Sequence, residues 1–124
     1  MQNVYITSLG AYLPNNPIAN DEMENFIGKI NGKKSQVKDR VLKQNGITQR
    51  HYALNVKQES THTNAQLAVK AVEQAILRSS LKPGDIELLS TGTTQADLPV
   101  PGFASMVHAG LDFSACEVAS FQSV

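Results

Sequence analysis

The sequence predicts an α/β fold, a mixed or parallel sheet with helices packed on it. Three observations carry this expectation. Runs rich in β-branched and apolar residues alternate with segments of helical periodicity along the 124-residue chain. Turn-forming stretches at 14–17, 31–32, 45–46, 81–85 and 95–101 separate them. One long helix, at 64–79, carries an Ala-rich stripe suited to lying close against a sheet or another helix. The expected order is strand, helix, short helix, strand, helix, strand, helix, strand.

Residues 3–9, Asn-Val-Tyr-Ile-Thr-Ser-Leu, read as a first strand, ended by Gly10. Pro14-Asn-Asn-Pro17 marks a loop. Asn20 is the expected N-cap of a helix, and Asp21, Glu22 and Glu24 suit its positive end. That helix would bury Met23, Phe26, Ile27 and Ile30 and end at Asn31-Gly32. A basic stretch follows, with Val37, Val41 and Leu42 at helical spacing and Asn45-Gly46 closing it. Its lysines and Arg40 fit either a solvated helix face or a docking patch for an acidic carrier or a nucleotide phosphate. Gly46 to Ala53 reads as a strand or an extended segment after a glycine turn.

Thr61 or Thr63 would cap the long helix, whose apolar residues Ala65, Leu67, Ala68, Ala71, Val72, Ala75 and Ile76 share a face. Leu81 to Asp85 is a turn, and 86–94 a strand ending in Thr93-Thr94. Strand ends of this kind face ligands in α/β proteins. Pro101 suits the first position of a helix over 102–110 that buries Phe103, Met106, Val107 and Leu111. Ser114 to Ala119 is the last strand, with Cys116 as a small core residue within it.

Composition excludes several classes. Eleven basic and eleven acidic residues leave no net charge, which argues against a general binder of nucleic acid or anionic membrane. No apolar run approaches the roughly 18 residues of a membrane span. No secretory leader is evident, so a cytoplasmic protein is expected. The single cysteine forms neither an internal disulfide nor a zinc site by itself, and no metal or cofactor is expected. His51, His62 and His108 read as structural or surface residues.

Six segments in order resemble the N-terminal half of the thiolase-fold condensing enzymes, and within them β-ketoacyl-ACP synthase III. Ile6-Thr-Ser-Leu-Gly-Ala-Tyr-Leu-Pro14 is similar to that family's opening strand and turn, and Ala19-Asn-Asp-Glu-Met23 to the start of its first helix. Gly46-Ile-Thr-Gln-Arg-His-Tyr-Ala53 resembles its "G-I-x-x-R-x-x-A" segment, the most specific local match. Asn64 to Ala71, Leu81 to Leu89, and Leu98 to His108 resemble its next helix, its "L-x-P-x-D-I" turn and strand, and its proline-headed helix. The resemblance implies a layered thiolase-like fold, of which 1–124 is an N-terminal half-domain cut just before the nucleophile, with the C-terminal half elsewhere.

It also implies an acyltransferase. In this family a Cys at a helix N-terminus takes an acyl group from a thioester, and a malonyl-type extender decarboxylates and attacks it. A His and an Asn from the C-terminal half stabilise the oxyanion. Two registers are open for the nucleophile. Counted without a gap, it falls immediately after Val124, with 119–124 as its approach strand, and no residue of 1–124 is catalytic. In the other register Gln122 takes the nucleophile position, which implies a decarboxylating or non-catalytic partner subunit. The family's CoA-holding Trp and Arg are replaced by Arg40 and Gln44, which points to an acyl-ACP or specialised acyl donor and to secondary metabolism. The implied partners are acyl carrier protein or an acyl-CoA thioester, and a homodimer or a heterodimer with a related synthase. By the same resemblance Thr93, Thr94, Leu98, Val100 and Phe103 are substrate-pocket candidates, with Asp97 beside them in the loop.

Overall fold

The computed structural model describes residues 3–122. In chain order its elements are β1 (Ile18–Ala19), α1 (Met23–Ile27), α2 (Lys38–Asn45), β2 (Gln49–Arg50), α3 (Asn64–Leu77), a 3-10 turn (Pro83–Asp85), β3 (Leu88–Thr93), α4 (Phe103–Ala109) and β4 (Glu117–Gln122). They fall into two compact units. Residues 13–62 form the smaller one; those before 13 and after 62 form the larger.

In the larger unit β3 and β4 pair in parallel, from Leu88 opposite Glu117 to Thr93 opposite Gln122. Parallel neighbours cannot be joined by a tight hairpin, and α4 supplies the crossover. Alternation along a strand then sorts the side chains. Leu89 turns to the helix side, where it meets Phe103 and Val107. Val107 is fully buried and Phe103 is 6% exposed. Each such side chain contributes about 1.5–3 kcal/mol by leaving water. Ala65, Ala68 and Val69 of α3 pack on the cluster, with Met106, Leu111 and Cys116 around it. Leu88 and Phe121, of opposite parity to Leu89 and Ser120, stay more than half exposed.

No residue of α3 is fully buried, although at 14 residues it is the longest of the described helices. Its small residues instead permit close approach on a second side. A Cβ on Gly10 would lie 2.1 Å from the Ala71 carbonyl oxygen and 2.5 Å from the Ala75 nitrogen. Glycine there lets the N-terminal segment lie on the helix backbone. The Arg78 guanidinium donates to the Leu9 carbonyl at 3.2 Å, and the Lys70 ammonium sits 5.5 Å from the centre of the Tyr12 ring.

In the smaller unit β1 and β2 form a two-residue antiparallel ladder, Ile18 opposite Arg50. Asn20 ties its flanks together, donating to the Ile47 carbonyl at 2.7 Å and accepting from Arg50 Nη1 at 2.8 Å. Gly46, at φ 68°, closes α2 in the left-handed conformation and returns its N–H to the Leu42 carbonyl. Between α1 and α2, Glu24 is buried at 8% exposure, where it accepts from the Ser35 N–H at 2.8 Å and pairs with Lys38 at 3.2 Å. The Ser35 N–H holds this carboxyl below its ordinary value; burial opposes, and Lys38 and then Lys29 reinforce the lowering.

Several local expectations are corrected. Residues 3–9 form no strand, because β propensity without a paired neighbour makes none, and Val4 and Ile6 are 95% and 86% exposed. The first helix stops at Ile27 with Gly28 as its C-cap, so Ile30 lies outside it at 82% exposure. Asn20 is spent on β2 and its flank instead of capping α1. The strand expected over 46–53 shrinks to Gln49–Arg50. Pro101 precedes the N-cap Gly102 and follows a cis peptide bond, so it is not the first helical residue. The last strand runs over Glu117–Gln122, leaving Cys116 just before it.

Two outcomes follow. Gly10→Ala should lower stability by about 1–3 kcal/mol in urea unfolding, since its methyl meets backbone and not a movable side chain; an unchanged midpoint would refute the close approach. Glu24→Gln should destabilise the chain at neutral pH. A carboxyl with a depressed folded-state pKa stabilises above its ordinary value, here 4.5, and that stabilisation is lost as pH falls below it through the folded value. The gap between wild type and Glu24→Gln in thermal melts should therefore close on acidification below about 4.5.

Candidate functional site

The carboxyl ends of β3 and β4 lie side by side, with Thr93 opposite Gln122. Crevices at such ends are where open α/β sheets hold ligands. Here a cleft of about 530 Å³ is lined by Asn64, Thr93, Thr94, Gln95, Ala96 and Asp97. It joins the end of β3, the loop that leaves it, and the first turn of α3.

The N-terminus of α3 builds one wall. An α-helix leaves its first four N–H groups without partners inside the helix. Thr63 and Gln66 form a reciprocal capping box: the Thr63 N–H donates to Gln66 Oε1 at 2.9 Å, and the Gln66 N–H to Thr63 Oγ1 at 3.1 Å. The other two N–H groups, of Asn64 and Ala65, donate to the two carboxylate oxygens of Asp97, each at 2.7 Å. A negative side chain is suited to this end of a helix. All four groups are satisfied, two of them from 32 and 33 residues away.

Asn64 binds the loop a second time. Its Nδ2 donates to the Gln95 carbonyl at 2.6 Å and to Thr93 Oγ1 at 3.1 Å. Thr93 Oγ1 in turn donates to the Gln95 carbonyl and accepts from the Gln95 N–H. The Thr93 hydroxyl is thus committed to holding the loop. The Thr94 hydroxyl, on the same cleft, makes no hydrogen bond to another described residue. Gly102 offers no capping side chain to α4; Ser120 of β4 supplies one, accepting from the Ala104 N–H at 2.8 Å.

The other sequence candidates lie apart from the cleft lining. Leu98 and Val100 are exposed on the same loop at 54% and 81%. Phe103 is in the β3–α4 core. Gln122 is the last described residue and closes β4, opposite Thr93. Val124 lies outside the described residues. The histidines have structural partners. His51 Nδ1 is 3.1 Å from the carbonyls of Pro14 and Asn15, and since carbonyls only accept, that nitrogen carries the proton. His108 Nε2 likewise faces the Ser114 carbonyl at 3.2 Å, and His62 Nδ1 meets Thr61 Oγ1 at 3.0 Å. Among the described residues no group of His, Cys, Asp and Glu side chains could hold a metal ion, and no helix is long and apolar enough to cross a membrane.

Sequence reasoning missed Asn64 and the capping role of Asp97. Thr63-Asn-Ala-Gln66 carries the capping-box spacing and could have located the helix start. Nothing local marks Asp97 as its partner.

Comparison with known proteins places this geometry. No protein-family model matches the chain. It is 31% identical over 104 residues to a Rickettsia akari protein named β-ketoacyl-[acyl-carrier-protein] synthase III, covering 83% of this chain and 29% of that relative. In structure it matches the tetronic acid condensing enzyme AbyA1 with a TM-score of 0.74 and 23% identity, over 95% of this chain and 36% of that one. It matches 3-oxoacyl-[acyl-carrier-protein] synthase III from Aquifex aeolicus with a TM-score of 0.72 and 21% identity, over 94% and 34%. The fold is thus that of the thiolase-like condensing enzymes. Within that class the chain is homologous to β-ketoacyl-ACP synthase III across most of its length, while spanning only about a third of the length of the proteins it matches.

Asp97→Ala should cost about 2 kcal/mol in denaturant unfolding, the loss of two charge-assisted bonds at a helix start. Asp97→Asn, keeping one acceptor oxygen, should recover part of it. Equal stability of Asp97→Ala and wild type would exclude the capping role.

Proposed function

We propose that this chain is part of a condensing enzyme that moves an acyl group from a thioester onto a Cys immediately after Val124. The direction of β4 supports this most directly: it runs parallel to β3 toward the end where Thr93, Thr94 and the 95–101 loop lie. In the proposed reaction the Cys thiolate attacks the thioester carbonyl, the carbon–sulfur bond to the donor breaks, and the donor leaves as its thiolate. A malonyl-type extender then loses carbon dioxide, and its carbanion attacks the acyl-enzyme and releases the thiolate. Thr94, whose hydroxyl is uncommitted, is the cleft residue proposed to meet substrate, and Thr93 positions the loop. Leu98 and Val100 are proposed as exposed apolar parts of the acyl pocket wall.

The reading with Gln122 as the nucleophile's replacement is less well supported, because Gln122 is paired within β4 opposite Thr93. The donor is proposed to be carried by acyl carrier protein, since Arg40 and Gln44 stand where the family's CoA-holding Trp and Arg would be. The likeness to a tetronic acid condensing enzyme agrees with a role in secondary metabolism. A cytoplasmic dimer, with the C-terminal half supplying the oxyanion-stabilising His and Asn, completes the proposal.

The test is an intact mass and a peptide map of the full chain after incubation with acyl-carrier donor. The expected result is one acyl group on a Cys directly following Val124, with acyl-carrier preferred over acyl-CoA by about tenfold or more, the worth of a lost stacking contact. Any other residue at that position, or no acylation, would overturn the proposal.

A further inference from the structure

The dipeptide Asn-Gly occurs twice in the chain, at 31–32 and at 45–46. Its backbone can react with its own side chain, because the glycine nitrogen can attack the asparagine amide carbon and no Cβ on the glycine shields it. Both sites are exposed, so access to solvent does not separate them. Hydrogen bonding does. At 45–46 both reacting groups are held. Asn45 Oδ1 accepts from the Ile47 N–H at 3.0 Å, and the Gly46 N–H donates to the Leu42 carbonyl at 3.1 Å, the bond that closes α2. Attack there must first break both bonds. At 31–32 neither group is held: the Asn31 side chain and the Gly32 N–H make no hydrogen bond to another described residue.

Asn31 and Gly32 form the tip of a two-residue turn between Ile30 and Lys33, which pair as an antiparallel bridge. Their φ angles, 51° and 70°, have the sign that a type I′ turn needs at both central positions. One exposed hydrogen bond, from the Lys33 N–H to the Ile30 carbonyl at 3.0 Å, closes the turn. A pairing this short opens at small cost, and opening lets Asn31 rotate until its Cγ faces the Gly32 nitrogen. Independently of the function proposed above, we propose that Asn31 is a site of spontaneous deamidation in the folded chain and that Asn45 is protected from it. The Gly32 nitrogen, having given its proton to solvent, forms a bond to Asn31 Cγ. The bond from Cγ to Nδ2 breaks, and Nδ2 takes a proton from solvent and leaves as ammonia. Water then adds to one carbonyl of the cyclic imide and reopens it to Asp or isoaspartate. Isoaspartate lengthens the backbone of a two-residue loop by one carbon, which the type I′ geometry does not accommodate. Either product places a carboxylate among Lys29, Lys33 and Lys34.

The test is a time course of the full chain at neutral pH, with a urea-unfolded sample beside it. Peptide mapping by mass follows the amide-to-acid exchange at each Asn-Gly, and fragmentation separates Asp from isoaspartate. In the folded chain Asn31 should react about tenfold or more faster than Asn45, whose reaction waits on local opening of the α2 terminus. In urea the two sites should react at comparable rates. Asn31→Gln should remove the modification from the folded chain. Equal rates at the two sites in the folded chain, or a faster Asn45, would overturn the inference. So would an unmodified Asn31 in the folded chain once the unfolded sample has reacted fully. A gap between the sites that persists in urea would overturn it too, since flanking sequence and not the fold would then set the rates.

Discussion

The first turn of α3 is where the larger unit is joined. Four backbone N–H groups there need acceptors, and two of the acceptors are the carboxylate oxygens of one distant side chain, Asp97. Because both oxygens are used, the bond fixes orientation as well as distance. Asn64, the first residue of the same helix, then binds Gln95 and Thr93. Helix start, strand end and connecting loop therefore hold one another in place, and the cleft is the space they enclose.

A similar arrangement recurs at α4, whose first residues are capped by Ser120 of the strand that follows it. Parallel pairing of β3 and β4 makes this possible. It puts Ser120 on the helix-facing side of the sheet, opposite Thr91, within reach of the N-terminus of α4. The apolar part of the same face, Leu89 with Phe103 and Val107, excludes water beneath the polar contacts. Short strands and a seven-residue helix gain stability here from tertiary partners, as short elements in water must.

The smaller unit is organised differently. Its strands have two residues each, and a carboxylate, Glu24, is buried in it to the same degree as Leu42. Glu24 tolerates that position because Ser35 and Lys38 meet its two oxygens, leaving no buried polar side-chain atom unsatisfied among the described residues. One cation of the basic stretch is consumed in this way. The others, Lys29, Lys33, Lys34, Arg40 and Lys43, are exposed to solvent.

Much of this was legible in the sequence. The Ala-rich period of 64–77, the Asn45-Gly46 stop, the Pro-Gly-Asp turn and the apolar run before Thr93 each contain their own local cause. So does the resemblance to the condensing enzymes, which lies in ordered short motifs. What needed tertiary structure was every feature whose partner lies far along the chain. Residues 3–9 have strand composition but no paired neighbour, and Asn20 has cap chemistry but better partners in Ile47 and Arg50. Asp97 read as a loop acid until the helix 32 residues earlier came within 2.7 Å of it. By itself the sequence determined which segments could become helices and strands and which family they resemble, because propensity and motif act over a few residues. The tertiary structure alone decided which of those segments paired, and which polar side chains were bonded or left open on the cleft, because hydrogen-bond satisfaction depends on neighbours in space.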